Sequence, residues 1–183
     1  KKSGLKVFYY ISPKLWAWNE GRVKKVKKYV DRMYIIFPFE VDFYMKHGVE
    51  AVYMGNPLLD ETAKRLRAIP AESEIRKSLG LEEKPVIAML AGSRKSEVRQ
   101  ILPRMLKVVQ DFPGYQFVLA GVKNLPEELY NGIIKDYPVK LVRDKTYEIL
   151  YISEAALVKS GTATLEAALI GVDFPIPLTI QMG

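Results

Sequence analysis

Two segments carry the residue types that hold a phosphorylated ligand. The first is Gly92-Ser93-Arg94-Lys95-Ser96-Glu97, which follows the apolar run 86–91 and precedes an amphipathic pattern over 98–109. A strand-to-helix turn is predicted there. Gly92 permits a tight turn, and Ser93 or Ser96 is placed to cap the helix, whose unpaired first amides form an anion site. Arg94 brings a fixed fork of donors suited to phosphate. The competing reading is an ordinary turn with a solvated Arg94–Lys95 pair. The glycine and lysine spacings fit neither a Walker A loop nor a dinucleotide fingerprint.

The second segment is Ser160-Gly161-Thr162-Ala163-Thr164-Leu165-Glu166, again between a predicted strand and a predicted helix. Small residues such as Gly161 and Ala163 let the backbone approach a ligand. The hydroxyls of Ser160, Thr162 and Thr164, with the helix-start amides, suit a pyrophosphate. Glu166, expected in the first turn, can accept from two ribose hydroxyls. The alternative is that Thr162 or Thr164 caps the helix and Glu166 merely favours its first turn. Each loop alone is a weak signal; two at strand ends of one sheet point to nucleotide binding. A third loop, Val142-Arg143-Asp144-Lys145-Thr146-Tyr147, could turn backbone towards a base and Arg143 or Lys145 towards a phosphate, or be a charged surface loop.

Other chemistry is narrowed by residue type. The chain has no cysteine and one histidine, His47, which excludes disulfides, cysteine-metal sites and multi-histidine zinc sites. His47 precedes Gly48 at a predicted helix end, where a C-terminal capping role outweighs catalysis. Asp42, Asp60, Glu40 and Glu97 are available carboxylates, and no spacing singles one out as a general base.

These loops must be positioned by a scaffold, and the hydrophobic periodicity supplies one. Residues 1–55 alternate strand, helix, strand, helix and strand, at 7–11, 21–30, 33–37, 39–46 and 51–54. Such alternation implies α/β packing. Gly55-Asn56-Pro57 breaks the pattern as a boundary or crossover. Residues 58–69 connect with helical character, and 72–79 form a helix closed by Gly80. Strands are predicted at 86–91, 116–120, 139–142, 155–159 and 174–180, with helices at 98–109, 125–134, 146–152 and 164–170 between them. Repeated strand–helix steps imply a Rossmann-like open parallel sheet, whose ligands bind beyond the carboxyl ends of its strands.

The chain has 183 residues, 49% of them hydrophobic, enough for one core plus a smaller appendage. Its formal charge of +7 suits nucleic acid, anionic lipid or a phosphorylated ligand and does not choose among them. No run approaches the roughly 18 apolar residues of a membrane span, and no export signal is visible. Arg22, Lys24, Lys25, Lys27 and Lys28 make one helix basic, a solvated face or a patch for anions. Trp16 and Trp18 are candidates for an aromatic rim near a lipid headgroup, or for core. No nucleic-acid-binding motif accompanies the charge. Predicted strands close to both termini lead us to expect flanking segments outside this chain. The short first unit also leaves sheet edges to be covered by those segments or by a second subunit of a homodimer.

Taken together, several stretches resemble one family, the lipid-A-disaccharide synthases: Tyr10-Ile11-Ser12-Pro13, Trp16-Ala17-Trp18 with Arg22, Phe37-Pro38-Phe39-Glu40, Gly55-Asn56-Pro57-Leu58-Leu59-Asp60 and the two glycine loops, in order. Asn56 stands where the family usually has histidine. The resemblance implies glycosyltransferase B architecture, two Rossmann-like domains with the active site between them. Residues 1–55 would end the acceptor domain, and 56–183 would form the UDP-sugar domain. The implied reaction is an inverting transfer from UDP-2,3-diacylglucosamine to 2,3-diacylglucosamine 1-phosphate (a lipid X-like acceptor), at the cytoplasmic face of the inner membrane, as a peripheral protein on an anionic surface. UDP-sugar is a substrate, and neither cofactor nor metal is implied. Gly92, Ser93, Arg94, Val142, Ser160, Gly161, Thr162, Ala163, Thr164 and Glu166 would bind UDP, with Arg94 stabilising the leaving group. Trp16, Trp18, Arg22, Lys24, Lys25 and Lys28 would meet membrane or acceptor. The general base, an aspartate, is expected outside this chain.

The alternatives are another UDP-sugar transferase or epimerase of the same architecture, or a nucleotide-binding domain without turnover. A basic nucleic-acid binder is the weakest alternative.

Overall fold

The computed structural model describes residues 4–173, and the chain divides into two compact units, 1–60 and 61–183. The division falls after Asp60 rather than at the Gly55-Asn56-Pro57 break.

The first unit is a three-stranded parallel sheet, ordered β1 (Phe8–Tyr10), β2 (Arg32–Ile35), β3 (Ala51–Tyr53). After β1, the short helix α1 (Leu15–Trp18) takes the tryptophan segment, and a 3-10 turn at Glu20–Arg22 leads into α2 (Val23–Tyr29). The expected helix over 21–30 is thus shorter, with a tighter first turn. Val23 and Val26, three apart on one face of α2, are buried, while its lysines are exposed. Helix α3 (Glu40–Lys46) ends at His47, whose Nδ1 lies 2.8 Å from the Phe43 carbonyl oxygen. One cluster holds the unit together, with Leu15, Met33, Ile35, Tyr44 and Val49 added to the two valines.

Helix α4 (Pro57–Arg67) carries the chain into the second unit. Proline suits the first helical position because its missing N–H has no partner to lose. The Asn56 side chain accepts from the Leu58 N–H at 3.0 Å, which caps the helix. Helix α5 (Glu72–Leu79) closes on Gly80 in the left-handed conformation (φ 58°, ψ 46°), as the sequence predicts.

The second unit's sheet contains β4 (Val86–Leu90), β5 (Gln116–Gly121), β6 (Val139–Arg143) and β7 (Ser153–Val158), all parallel and ordered β6-β5-β4-β7. Every residue of β4 is buried. Val86, Ala88 and Leu90 enter one apolar cluster and Ile87 and Met89 the other, so helices cover both faces. Helix α6 (Lys95–Met105) follows β4, starting three residues before the expected 98. It contains Pro103 and tightens to a 3-10 helix over Leu106–Asp111, where one continuous helix is expected. Helix α7 (Glu127–Ile134) starts two residues late, because Pro126 is extended (ψ 145°). Helices α8 (Thr146–Tyr151) and α9 (Thr162–Ile170) flank β7 in the chain. Asp173 bridges in parallel to Ala155; the strand expected over 174–180 lies outside the described residues.

Candidate nucleotide-binding cleft

The chain leaves β4, builds β5 and β6 on one side of it, then returns to place β7 on the other. The loops after β4 and β7 therefore diverge from a topological switch point, and a crevice opens beyond the carboxyl ends of those two strands. A cleft of about 360 Å³ lies there. Helices α6 and α9 both start at its rim, so their unpaired first amides and positive dipole ends are brought to one place.

Glu97 organises the β4–α6 loop. Its Oε2 accepts from the backbone N–H of Ser93 (3.0 Å) and Arg94 (3.3 Å), and its Oε1 accepts from Lys159 Nζ (3.0 Å). One carboxylate thus joins the two loops that face the cleft. Burial works to raise the Glu97 pKa. Lys159 and the two amides outweigh it, and the net shift is downwards. The same carboxylate dictates Gly92 (φ 110°). A Cβ there would stand 2.6 Å from Glu97 Oε2 and 2.9 Å from Glu97 Cβ. The expected capping by Ser93 or Ser96 does not occur: Arg94 holds the N-cap position, Ser96 lies inside α6, and the loop amides turn to Glu97. The Arg94 side chain is 80% exposed and makes only a loose 3.5 Å contact with Glu97, so its guanidinium can move onto a ligand.

In the β7–α9 loop, Gly161 is the N-cap and no side chain caps the helix. The Thr164 N–H donates to the Gly161 carbonyl at 3.2 Å, and the Thr164 hydroxyl is buried without a hydrogen-bond partner. Because α9 begins at Thr162, two residues earlier than expected, Glu166 falls in the second turn. There it accepts a 2.9 Å hydrogen bond from the Tyr147 hydroxyl.

Eight sequence-predicted residues line the cleft: Gly92, Ser93, Arg94, Ser160, Gly161, Thr162, Ala163 and Glu166. Val142 and Thr164 do not. Val142 sits within β6, paired with Ala120. Arg143 and Lys145, offered to a phosphate by the sequence reading, are otherwise committed. Arg143 donates to the carbonyls of Lys123 (3.1 Å) and Leu125 (2.9 Å), pinning the β5–α7 loop, and Lys145 pairs with Glu148 at 2.9 Å. Sequence reasoning passed over Lys159 and the supporting Tyr147. A cation at the end of the predicted strand 155–159, directly before Ser160, is the available signal for Lys159; nothing local marks Tyr147.

Trp16, Trp18, Arg22 and the lysines belong to the first unit. Arg22, Lys24, Lys25, Lys27 and Lys28 are exposed. Arg22 and Lys25 edge a small cavity of about 190 Å³ with Tyr9 and Pro13. Trp16 donates through Nε1 to Glu40 at 3.2 Å and meets Phe39 edge-on at 5.0 Å. Among the described residues, no three His, Cys, Asp or Glu side chains group as metal ligands, and no helix is long and apolar enough to cross a membrane.

Fold and cleft together define an α/β, Rossmann-like protein with an anion-suited crevice at its switch point. Residues 1–181 match the family described as lipid-A-disaccharide synthetase, and the chain belongs to that family. It is 39% identical to the lipid-A-disaccharide synthase of Geobacter metallireducens, over 100% of this chain and 50% of that protein. It is 42% identical to that of Syntrophus aciditrophicus, over 93% and 46%. The chain thus spans about half the length of the curated relatives it matches. In fold it resembles the UDP-GlcNAc 2-epimerase of Neisseria meningitidis, solved bound to UDP-GlcNAc (TM-score 0.56, 14% identity, 94% of this chain and 52% of that one).

Proposed function

We propose that this chain supplies the UDP-sugar site of an inverting glycosyltransferase. The enzyme would join UDP-2,3-diacylglucosamine to 2,3-diacylglucosamine 1-phosphate, giving the β-1,6-linked lipid A disaccharide and UDP. The observation that carries this reading is the convergence of two helix N-termini and the exposed Arg94 on one switch-point cleft. Residues 56–183 would form the donor domain and 1–55 the end of the acceptor domain.

The acceptor 6-hydroxyl attacks the anomeric carbon from the face opposite UDP. A carbon–oxygen bond forms as the anomeric bond to the diphosphate breaks, and UDP leaves with the electron pair. Arg94 and the first-turn amides at Thr162 and Ala163 offset the charge growing on the diphosphate, without reorganising as they do so. Glu166 holds the ribose. The hydroxyl proton goes to a base, an aspartate that the family resemblance leads us to expect outside this chain; Glu97 is held by Lys159 and two amides, and Glu166 is given to the ribose. Attachment to the inner face of the inner membrane would use the exposed lysines of α2.

Calorimetric titration with UDP, beside UMP and ADP, tests the reading. UDP is expected to bind saturably and most tightly. Arg94→Ala should weaken it about 10- to 100-fold, the range for a hydrogen bond to a charged group. Absence of UDP binding, or equal binding of ADP, would overturn the donor-site assignment.

A further inference from the structure

The geometry points to Tyr147 as a positioning residue that makes the cleft selective for ribose over deoxyribose, by fixing the carboxylate of Glu166. This inference rests on the reading that Glu166 holds the ribose.

Glu166 gains no order from helix capping. It lies in the second turn of α9, beyond the unpaired amides of the first. What holds it is a chain of side chains from two other helices. Tyr147, on α8, is 7% exposed and its hydroxyl stands 2.9 Å from Glu166 Oε1. Thr62, on α4 and 2% exposed, places its Oγ1 3.4 Å from the same hydroxyl. The Arg65 guanidinium, one turn further along α4, covers the Tyr147 ring at 4.7 Å from its centroid.

Proton directions in this chain follow from chemistry. An ionised carboxylate only accepts, so Tyr147 donates to Glu166. The single Tyr147 proton is then committed, and Thr62 must donate to the Tyr147 oxygen. Burial raises the Tyr147 pKa; the Thr62 hydrogen bond works against this, and the Glu166 carboxylate adds to it. The hydroxyl therefore stays protonated, as a donor must.

The consequence lies at the other carboxylate oxygen. Among the described residues no donor reaches Glu166 Oε2, while Glu166 itself lines the cleft. With Oε1 held, the carboxylate plane is set before a ligand arrives, and its remaining acceptor sites face a vicinal diol in one orientation. A sugar lacking one hydroxyl leaves part of that fixed acceptor unpaired and is rejected. A freely rotating carboxylate would adapt to either sugar at an entropic cost, and would discriminate less.

The test is calorimetric titration of the protein with UDP and with 2′-deoxy-UDP, repeated for Tyr147→Phe, Thr62→Val and Glu166→Gln, with thermal melts to confirm folding. The unaltered protein is expected to prefer UDP about 10- to 100-fold, the scale of one hydrogen bond to a charged group. Tyr147→Phe keeps the ring beneath Arg65 and should weaken UDP about 5- to 10-fold, while 2′-deoxy-UDP shifts less than about 2-fold. The preference then shrinks. Thr62→Val should act in the same direction and less strongly. A preference unchanged in Tyr147→Phe, whether both ligands weaken equally or neither does, overturns the role of Tyr147 and leaves that of Glu166 standing. Failure of the unaltered protein to bind UDP, or a preference that survives Glu166→Gln, overturns the ribose reading of Glu166 and this inference with it.

Discussion

The two units build parallel sheets under different constraints. In the second, β4 is buried along its whole length between two apolar clusters, and the loops that follow it and β7 face the cleft. In the first, β1 exposes all three of its residues, and one cluster serves the whole sheet. A carboxylate compensates in each. Glu40, 1% exposed, accepts from Ser12 Oγ (2.6 Å), Trp16 Nε1 (3.2 Å) and the Phe37 N–H (3.3 Å), all neutral donors. Glu97 also gathers a loop, but one of its donors is the cation Lys159 and it lines the cleft. Both carboxylates organise backbone; only the second does so with a cation as partner and at an open crevice. Glu40 is reached through a strained turn, with Ile11 at φ 63°, an unusual conformation for a β-branched residue. The second unit has one left-handed non-glycine residue of its own, Asp144 at φ 58°, but aspartate tolerates that conformation where a β-branched side chain does not.

Core truncation should sharpen this contrast most. Leu119 and Met33 are both fully buried, in β5 and β2. Leu119→Ala should cost about 3–5 kcal/mol, because the double-sided core collapses poorly around a void. Met33→Ala should cost about 2–3 kcal/mol, since a one-sided sheet relaxes more easily. Circular dichroism in urea measures the first. Tryptophan fluorescence follows the second unambiguously, because both tryptophans, Trp16 and Trp18, lie in the first unit. Equal losses would break the comparison.

A smaller effect should appear on acidification. The folded Glu97 pKa lies below the ordinary glutamate value of 4.5, so as pH falls the unfolded chain takes up this proton first. Its stabilisation is complete above that ordinary value and is lost as pH drops through the lower, folded one. Glu97→Gln should therefore flatten the dependence of the second unit's stability on pH below about 4.5. A slope as steep as that of the unaltered protein would show that Glu97 contributes no such linkage.

The smallest effect on stability should come from the exposed lysines of α2. Replacing Lys24, Lys25, Lys27 and Lys28 by glutamine should change stability by less than about 0.5 kcal/mol per site. Binding to vesicles containing anionic lipid should nevertheless weaken, by about 1 kcal/mol per lysine near the surface. Unchanged vesicle binding would remove the membrane role from this helix.

Much of the fold was legible because burial leaves a periodic trace. The near-continuous apolar run at 86–91 reads as a buried parallel strand, and Gly80 closes its helix where expected. Helix starts were less legible. Those of α6 and α9 were expected late, because the polar residues at 95–97 and the small Thr162 and Ala163 carry no hydrophobic period, though their backbone is already helical. That same shift decided which amides are unpaired and moved Glu166 out of the first turn.

By itself, the sequence determined the α/β class, the two loops that flank the cleft, and most of the residues lining it. Such features depend on local chemistry: glycine where a turn is tight, small residues where backbone must come close, apolar runs where a strand is buried. The tertiary structure alone decided that Glu97 would hold Lys159 across 62 positions, that Arg143 would serve carbonyls instead of phosphate, and that Thr62 and Tyr147 would meet across 85. These depend on strand order and on which helix faces which. They join residues far apart in the chain, and no local period records such a pairing.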